Sequence, residues 1–350
     1  MKRAVLGCLL ALSATCAAAL AAAAPVAARS DARRARLAYA AMERTYLDRR
    51  SGDYRQRTGG RPGSHAWPFS QALAATLAVA RLPGSKTAKQ LVPSRLASLD
   101  RRFRRRGLYR SRPGGDVYYD DNEWIALDLL DWHPVHPSAA AVRKAMRIFR
   151  AVADAWSDDP TKACPGGVRW TAAPGNQDRN TVSTANGAIL GLRLYALTHR
   201  PFLLGWAKRM LGWLDRCLLG PDGLYRDHIG GDGSVDTTEW SYNQGSVMEA
   251  YRLLYRVTRD TADLARAESI ADTTLASFEQ RWSSGEPPAF AAIFFRRLLK
   301  LSRLAPHSGY VTAAQRYADW LWAARRTGLL NQAALVQLYA ALAQHRARTS

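Results

Sequence analysis

Cysteine is scarce in this 350-residue chain: there are four, and two of them, Cys8 and Cys16, fall in an apolar N-terminal segment. The remaining two, Cys164 and Cys217, are too few for a cysteine-built zinc site, which takes three or four thiolates or adds paired histidines at fixed spacing. Neither a Gly-rich phosphate loop nor an HExxH sequence occurs, so no metal and no cofactor is expected. Lysine is also sparse, seven of the 50 basic residues, and acidic residues number only 29. Beyond residue 28 no stretch approaches the roughly 20 uninterrupted apolar residues that a membrane helix needs. What is present, 47% apolar and 23% charged, is the composition of a folded core and excludes a mainly disordered chain.

Lys2 and Arg3 precede an apolar run from Ala4 to about Ala24, and Val26, Ala27 and Ala28 supply the small residues that a signal peptidase reads. Residues 1–28 are therefore expected to be a cleaved export signal and 29–350 a single domain. An uncleaved anchor is one alternative; a lipoprotein through Cys16 is another, although Ser13-Ala14-Thr15 makes a poor lipobox. The mature protein is expected to be secreted or associated with the cell envelope. Export puts Cys164 and Cys217 in an oxidising compartment. There the two either close a disulfide worth about 2 to 4 kcal/mol or remain separate buried thiols.

Without Lys2 and Arg3 the balance is 48 basic against 29 acidic side chains, a formal charge of +19. Such a field draws a protein towards anionic envelope polymers or lipid head groups. The run RRFRRR at 101–106 invites a nucleic-acid reading. Arginine is favoured along the whole chain, however, and an exported protein rarely meets nucleic acid, so no such partner is expected. Oligomerisation leaves no signature, and a monomer is the expectation.

Apolar residues recur at three- and four-residue spacing, interrupted every 15 to 30 residues by Gly, Pro or Asn/Asp clusters, with almost no strand signal. Twelve helices are predicted, at about 31–49, 68–81, 90–105, 121–132, 137–155, 180–198, 201–217, 242–258, 261–280, 287–303, 309–325 and 329–346. The phrase Leu194-Tyr195-x-x-Thr198 recurs as Leu254-Tyr255-x-x-Thr258, which suggests successive copies of a helical hairpin. A lone hairpin cannot bury its apolar face, so the copies must stack or close on one another. Six hairpins closing on themselves give an all-α (α/α)6 toroid; an open solenoid is the alternative. The polar, aromatic connections at 50–67, 107–121, 156–180 and 218–242 are suited to lining a cleft at one end.

The stretch YYDDNEWIALDLLDW at 118–132 carries the most chemistry. Two carboxylates held together in a partly apolar cleft, here Asp120 and Asp121, cannot both ionise freely, so the pair can divide into an acid and a nucleophile. Retaining glycosidases place their carboxyl groups about 5 to 5.5 Å apart, within reach of neighbouring residues, whereas inverting enzymes need about 6.5 to 9.5 Å. The competing reading is that Asp120-x-x-Glu123 merely caps a helix. Trp67, Trp170 and Trp240 lie at predicted helix entrances beside Gly, Pro or polar residues, where flat rings can stack on sugars. DTTEWSYNQG at 236–245 gathers a polar cluster that must cap, stay wet or bind something polar.

With these residues in view the chain resembles glycoside hydrolase family 76, the bacterial endo-α-1,6-mannanases. The resemblance runs from AWPFSQALAA (66–75) through YYDDNEWIALDLL, GGVRW (166–170) and NTVSTANGAILGLRLYALT (180–198) to DGLYRD and VDTTEWSYNQG (222–245). It implies an (α/α)6 fold and a retaining mechanism with Asp120 as nucleophile and Asp121 as general acid and then base. It also implies sugar contacts from Trp67, Asn122, Trp170, Asn180, Trp240, Tyr242, Asn243 and Gln244. The substrate it implies is α-mannan or a mannose-containing envelope polysaccharide. Glu123 departs from the small or apolar residue expected there, and little after Gly285 matches. Fungal relatives look like cell-wall cross-linking enzymes, so transglycosylation by the same intermediate is an alternative to hydrolysis. A non-catalytic envelope glycan-binding protein is a third reading.

Overall fold

The computed structural model describes residues 26–306 and 308–349. The expected export signal, residues 1–28, lies outside the described residues up to residue 25. Each predicted helix has a counterpart: α1 (26–46), α2 (Ala66–Ala80), α3 (Lys86–Phe103), α4 (Tyr119–Trp132), α5 (Ala139–Asp154), α6 (Thr181–Thr198), α7 (Pro201–Cys217), α8 (Ser241–Thr258) and α9 (Thr261–Ser277). A single turn, α10 (Arg281–Ser284), precedes α11 (Pro288–Leu301), α12 (Ser308–Ala323) and α13 (Leu329–Thr349). No described helix is long and apolar enough to cross a membrane.

Six helices, α2, α4, α6, α8, α11 and α13, each pack on the next, and α13 packs back on α2. This closes an inner ring. Outside it, α3, α5, α7, α9 and α12 pack against α2, α4, α6, α8 and α11 respectively. The sixth outer position belongs to α1, which Arg34 ties to Asp319 of α12 and Asp31 ties to Arg346 of α13 at 3.1 Å. The architecture is the (α/α)6 toroid expected from the helix count.

Burial separates the two rings. Inner helix α4 buries all but two of its residues, Asp120 and Asp131, as a helix enclosed on every side must. Outer helix α5 buries Ala145, Met146, Ile148, Phe149 and Val152, one stripe at helical spacing. Close approach of inner helices needs small residues: a Cβ on Gly245 of α8 would lie 2.8 Å from the Cα of Phe294 in α11. At the ring's centre the buried Arg297 of α11 stacks over Trp124 of α4 at 4.9 Å. Its guanidinium also donates to Asn186 of α6 (2.9 Å) and to Ser246 of α8. Burial with no carboxylate directly on it depresses this guanidinium to about 9.

The repeated LYxxT phrase is a helix ending. Thr198 and Thr258 donate their hydroxyls to the carbonyls of Leu194 and Leu254, and the next residues, His199 and Arg259, adopt left-handed φ of 53° and 65°. A second repeat, not recognised from the sequence, marks the outer-to-inner turns: Gly52-Asp53-Tyr54-Arg55, Gly107-Leu108-Tyr109-Arg110 and Gly223-Leu224-Tyr225-Arg226. Each glycine has positive φ (71°, 94° and 82°), which side-chain-bearing residues rarely adopt. Each tyrosine is buried and donates to an acid on the preceding outer helix: Tyr54 to Glu43, Tyr109 to Asp100 and Tyr225 to Asp215, at 2.5 to 2.6 Å. The strands, β1 (Leu47–Asp48) to β7 (Val235–Asp236), are all of two residues and lie in the outer-to-inner connections.

Candidate active site

The inner helices all run the same way, so their N-terminal turns share one end of the toroid. The outer-to-inner loops at 47–65, 104–118, 155–180 and 218–240 surround that end. Trp67 lies in the first turn of α2 and Asp120 and Asp121 in that of α4; Asn180 precedes α6, Trp240 precedes α8, and Tyr242 and Asn243 begin α8. The structure thus brings the sequence-predicted residues to a single rim.

The aspartates do not cap α4. Its N-cap is Tyr118, which has extended backbone and no side-chain cap bond, so Asp120 and Asp121 are the second and third helical residues. Asp120 keeps some contact with solvent, Asp121 is 9% exposed, and Glu123 is fully buried. Asp120 Oδ1 and both oxygens of Glu123 are buried without a hydrogen-bond partner.

Burial dominates the titration of all three. It pushes the Asp120 carboxyl up to about 7, against first-turn backbone N–H groups and the Trp170 indole, which pull it down; the Asp227 charge pushes it further up. Asp121 is held well above the usual carboxylate range by burial and then by the charge on Asp120. Glu123 is raised well above its ordinary value by the same two causes. Both carboxyls of the adjacent pair are thus raised, and the charge on Asp120 adds to burial in opposing ionisation of Asp121.

Aromatic rings flank the pair. Trp170 is 36% exposed and meets Tyr118 edge-on at 4.9 Å, while its carbonyl accepts the Tyr119 N–H at 2.9 Å. Trp67, Trp240 and Tyr242 converge on Phe290 of α11, at centroid distances of 5.9, 5.4 and 4.2 Å. Asn180 and Asn243 are buried, each with an Oδ1 lacking a partner.

Two expected sugar contacts prove to be something else. Asn122 is fully buried: its Oδ1 accepts the Tyr109 N–H (2.7 Å) and its Nδ2 donates to the carbonyls of Tyr109 (2.8 Å) and Tyr118 (2.7 Å). Gln244 does the same to Tyr225, accepting its N–H and donating to its carbonyl, both at 2.8 Å. Their amides are consumed in clamping the outer-to-inner turns, which leaves nothing for a ligand.

Cys164 and Cys217 form a disulfide, Cα to Cα 6.1 Å, joining the Trp170 loop to the end of α7. The Cys164 carbonyl accepts from Arg179 (2.8 Å) and from the Trp213 indole (3.1 Å). A Cβ on Gly167, whose φ is 86°, would lie 2.5 Å from Trp213. The loop is therefore anchored from three sides.

The model for glycosyl hydrolase family 76 matches residues 30–310. The chain belongs to that family. In sequence it is 30% identical over 122 residues to the mannan endo-1,6-alpha-mannosidase DCW1 of Candida glabrata, covering 32% of this chain and 26% of that one. It is 28% identical over 145 residues to a putative mannan endo-1,6-alpha-mannosidase of Schizosaccharomyces pombe, covering 38% and 31%. The chain thus spans about a third or less of the length of the curated relatives it matches. Among solved structures, the family 76 mannosidase Bt3792 of Bacteroides thetaiotaomicron shares the fold with a TM-score of 0.80 at 21% identity, over 92% of this chain and all of that one. An inactive variant of the α-1,6-mannanase GH76A of Salegentibacter, solved with α-1,6-mannotriose, aligns with a TM-score of 0.78 at 21% identity over 90% and 99%.

In this family 76 chain the sequence reading missed two rim residues. Asp227 accepts from Asn243 Nδ2 (2.9 Å), His228 Nδ1 (2.8 Å) and the Tyr242 hydroxyl. The hydrogen bond to Asp227 raises His228 above its ordinary value. Asp227 stands in the quoted DGLYRD stretch, directly after the third Gly-x-Tyr-Arg turn, and that repeat was the signal available. Phe290 offered none, because what draws three rings around it is contact between helices far apart in sequence. Asp227, His228 and Asp236 also place one ligand atom each within 4.8 Å of one another. With the imidazole hydrogen-bonded to Asp227, the three form an ion-pair cluster.

Proposed function

We propose that this family 76 chain is a retaining, endo-acting hydrolase of α-1,6-mannosidic linkages in mannan-type polysaccharide, exported by its N-terminal leader. The observation that carries the reading is the adjacent pair Asp120 and Asp121 in the first turn of α4, uncommitted to capping and set at the rim beside Trp170. Asp120, the less enclosed of the two and drawn down by first-turn N–H groups, suits the nucleophile, and Asp121, whose carboxyl burial and the Asp120 charge hold well above the usual carboxylate range, suits the acid. Asp121 protonates the departing glycosidic oxygen while Asp120 bonds to the anomeric carbon; water deprotonated by Asp121 then releases the sugar. Trp170 beside the pair and Trp67 at the same rim offer ring faces to a sugar, and Asn180 and Asn243 stand at that rim with carbonyl oxygens lacking a partner. Asp227, fixed by three donors, is a third carboxylate for hydroxyls of the same sugar.

Linear α-1,6-mannan incubated with the protein tests the activity. Shortened oligosaccharides support hydrolysis, lengthened products would reassign the chain to transfer, and retention without turnover would make it a binding protein. Azide tests the roles: it should restore turnover to Asp120→Ala with a β-mannosyl azide as product. An α-azide from that variant would exchange the two assignments.

A further inference from the structure

The end of the toroid opposite the aspartates, where the inner helices finish, contains a cavity of about 1230 Å³. Eleven basic side chains and two acidic ones line it. Both acids are already paired: Asp131 with Arg193 (2.5 Å) and Arg81 (3.6 Å), and Glu249 with Arg252 (2.6 Å) and Lys300 (3.3 Å). The Arg256, Arg259 and Arg303 guanidiniums have no carboxylate within ion-pair distance among the described residues. Arg256 and Arg259 are exposed, and Arg303 Nε is buried without a hydrogen-bond partner.

The bland explanation is that cations offset the negative ends of the helix dipoles. Six helix ends amount to about three negative charges. The lining exceeds that severalfold, and its surplus guanidiniums repel one another: burial, Arg348 and Arg252 together depress Arg303. Such crowding persists where an anion compensates it. Guanidinium forks match phosphate oxygens in bidentate pairs, which ammonium groups do not. Nine of the eleven basic groups that line the cavity are arginine. The volume accommodates a polyol phosphate or head group.

We propose that this cavity binds a phosphate ester, borne either by a lipid head group or by a soluble polyol, while the opposite rim stays open. The inference does not depend on the hydrolase reading.

The mature chain and its R256Q/R259Q/R303Q variant are titrated calorimetrically with glycerol phosphate, and sedimented with phosphatidylcholine vesicles lacking or containing phosphatidylinositol. The expected result is binding of at least one phosphate probe by the wild type, weakened at least about tenfold in the variant. Mannan cleavage and melting temperature should be unchanged. Glycerol phosphate binding identifies a soluble source; binding only to phosphatidylinositol vesicles identifies a head group. If the triple variant melts early, Arg259→Gln alone, at an exposed position, is used with a correspondingly smaller loss expected. Failure of every probe, or equal binding by variant and wild type, overturns the proposal.

Discussion

Replacing Asp120 by asparagine is expected to stabilise the protein at neutral pH while abolishing turnover. Burial raises this carboxyl from 3.8 to about 7. Between those values the folded state holds a proton that the unfolded chain has released, so stability falls as pH rises through the interval and the loss is complete above about 7. At about 1.4 kcal/mol per unit, an interval of roughly three units corresponds to at most about 4 kcal/mol, and the residual solvent contact of Asp120 reduces it. The Asp120→Asn variant lacks this titration. It should match the wild type near pH 4 and exceed it by about 2 to 4 kcal/mol near pH 8. Guanidinium unfolding with the disulfide intact, repeated across that range, gives the difference curve. A difference that stays flat with pH, or a variant less stable than the wild type near pH 8, would refute the claim that the carboxylate is ionised at the expense of the fold.

The same ionisation sets the acidic limb of activity: kcat/KM should rise with pH through about 7, and Asp227→Asn, by removing a negative charge that raises Asp120, should move that limb to lower pH. A limb that stays in place separates Asp227 from the pair. Gln244→Ala leaves the buried N–H and carbonyl of Tyr225 without partners, and denaturant unfolding should register a loss of about 1 to 3 kcal/mol. Replacing Cys164 and Cys217 together by serine opens a loop with a sequence separation of 53. Chain entropy puts that at about 4 kcal/mol, measurable as a lower unfolding midpoint; no change would mean that Arg179 and Trp213 alone hold the loop.

Helix positions were legible because a toroid built from hairpins is made of local periodicity. Gly, Pro and Asn/Asp clusters end each run, and the inner helices, buried on nearly all sides, still show their length. The ring closure rested on a count, six hairpins, which the packing of α13 on α2 realises. The α1–α13 pairing was not legible: Asp31 and Arg346 are joined by a bond across nearly the whole chain, and nothing local announces it. The two-residue strands were invisible for a related reason. They are two-residue pairings within the outer-to-inner connections, not products of any alternating pattern.

The site divides along the same line. Asp120 and Asp121 are neighbours, so their mutual influence could be argued from adjacency and from the apolar run after them. Asn122 and Gln244 show where adjacency misleads. A polar group at a helix start was expected to cap, stay wet or bind a ligand, and both amides instead seize the backbone of a tyrosine 13 or 19 residues earlier. That choice has a consequence for the chemistry. Tyr225, held by Gln244 from the inner helix and by Asp215 from the outer one, lies two residues before Asp227. Tyr109, held by Asn122 and Asp100 in the same way, fixes the strand that leads into the loop before Tyr118. Residues that looked like substrate contacts therefore act one step back, setting the positions from which the carboxylates reach the rim.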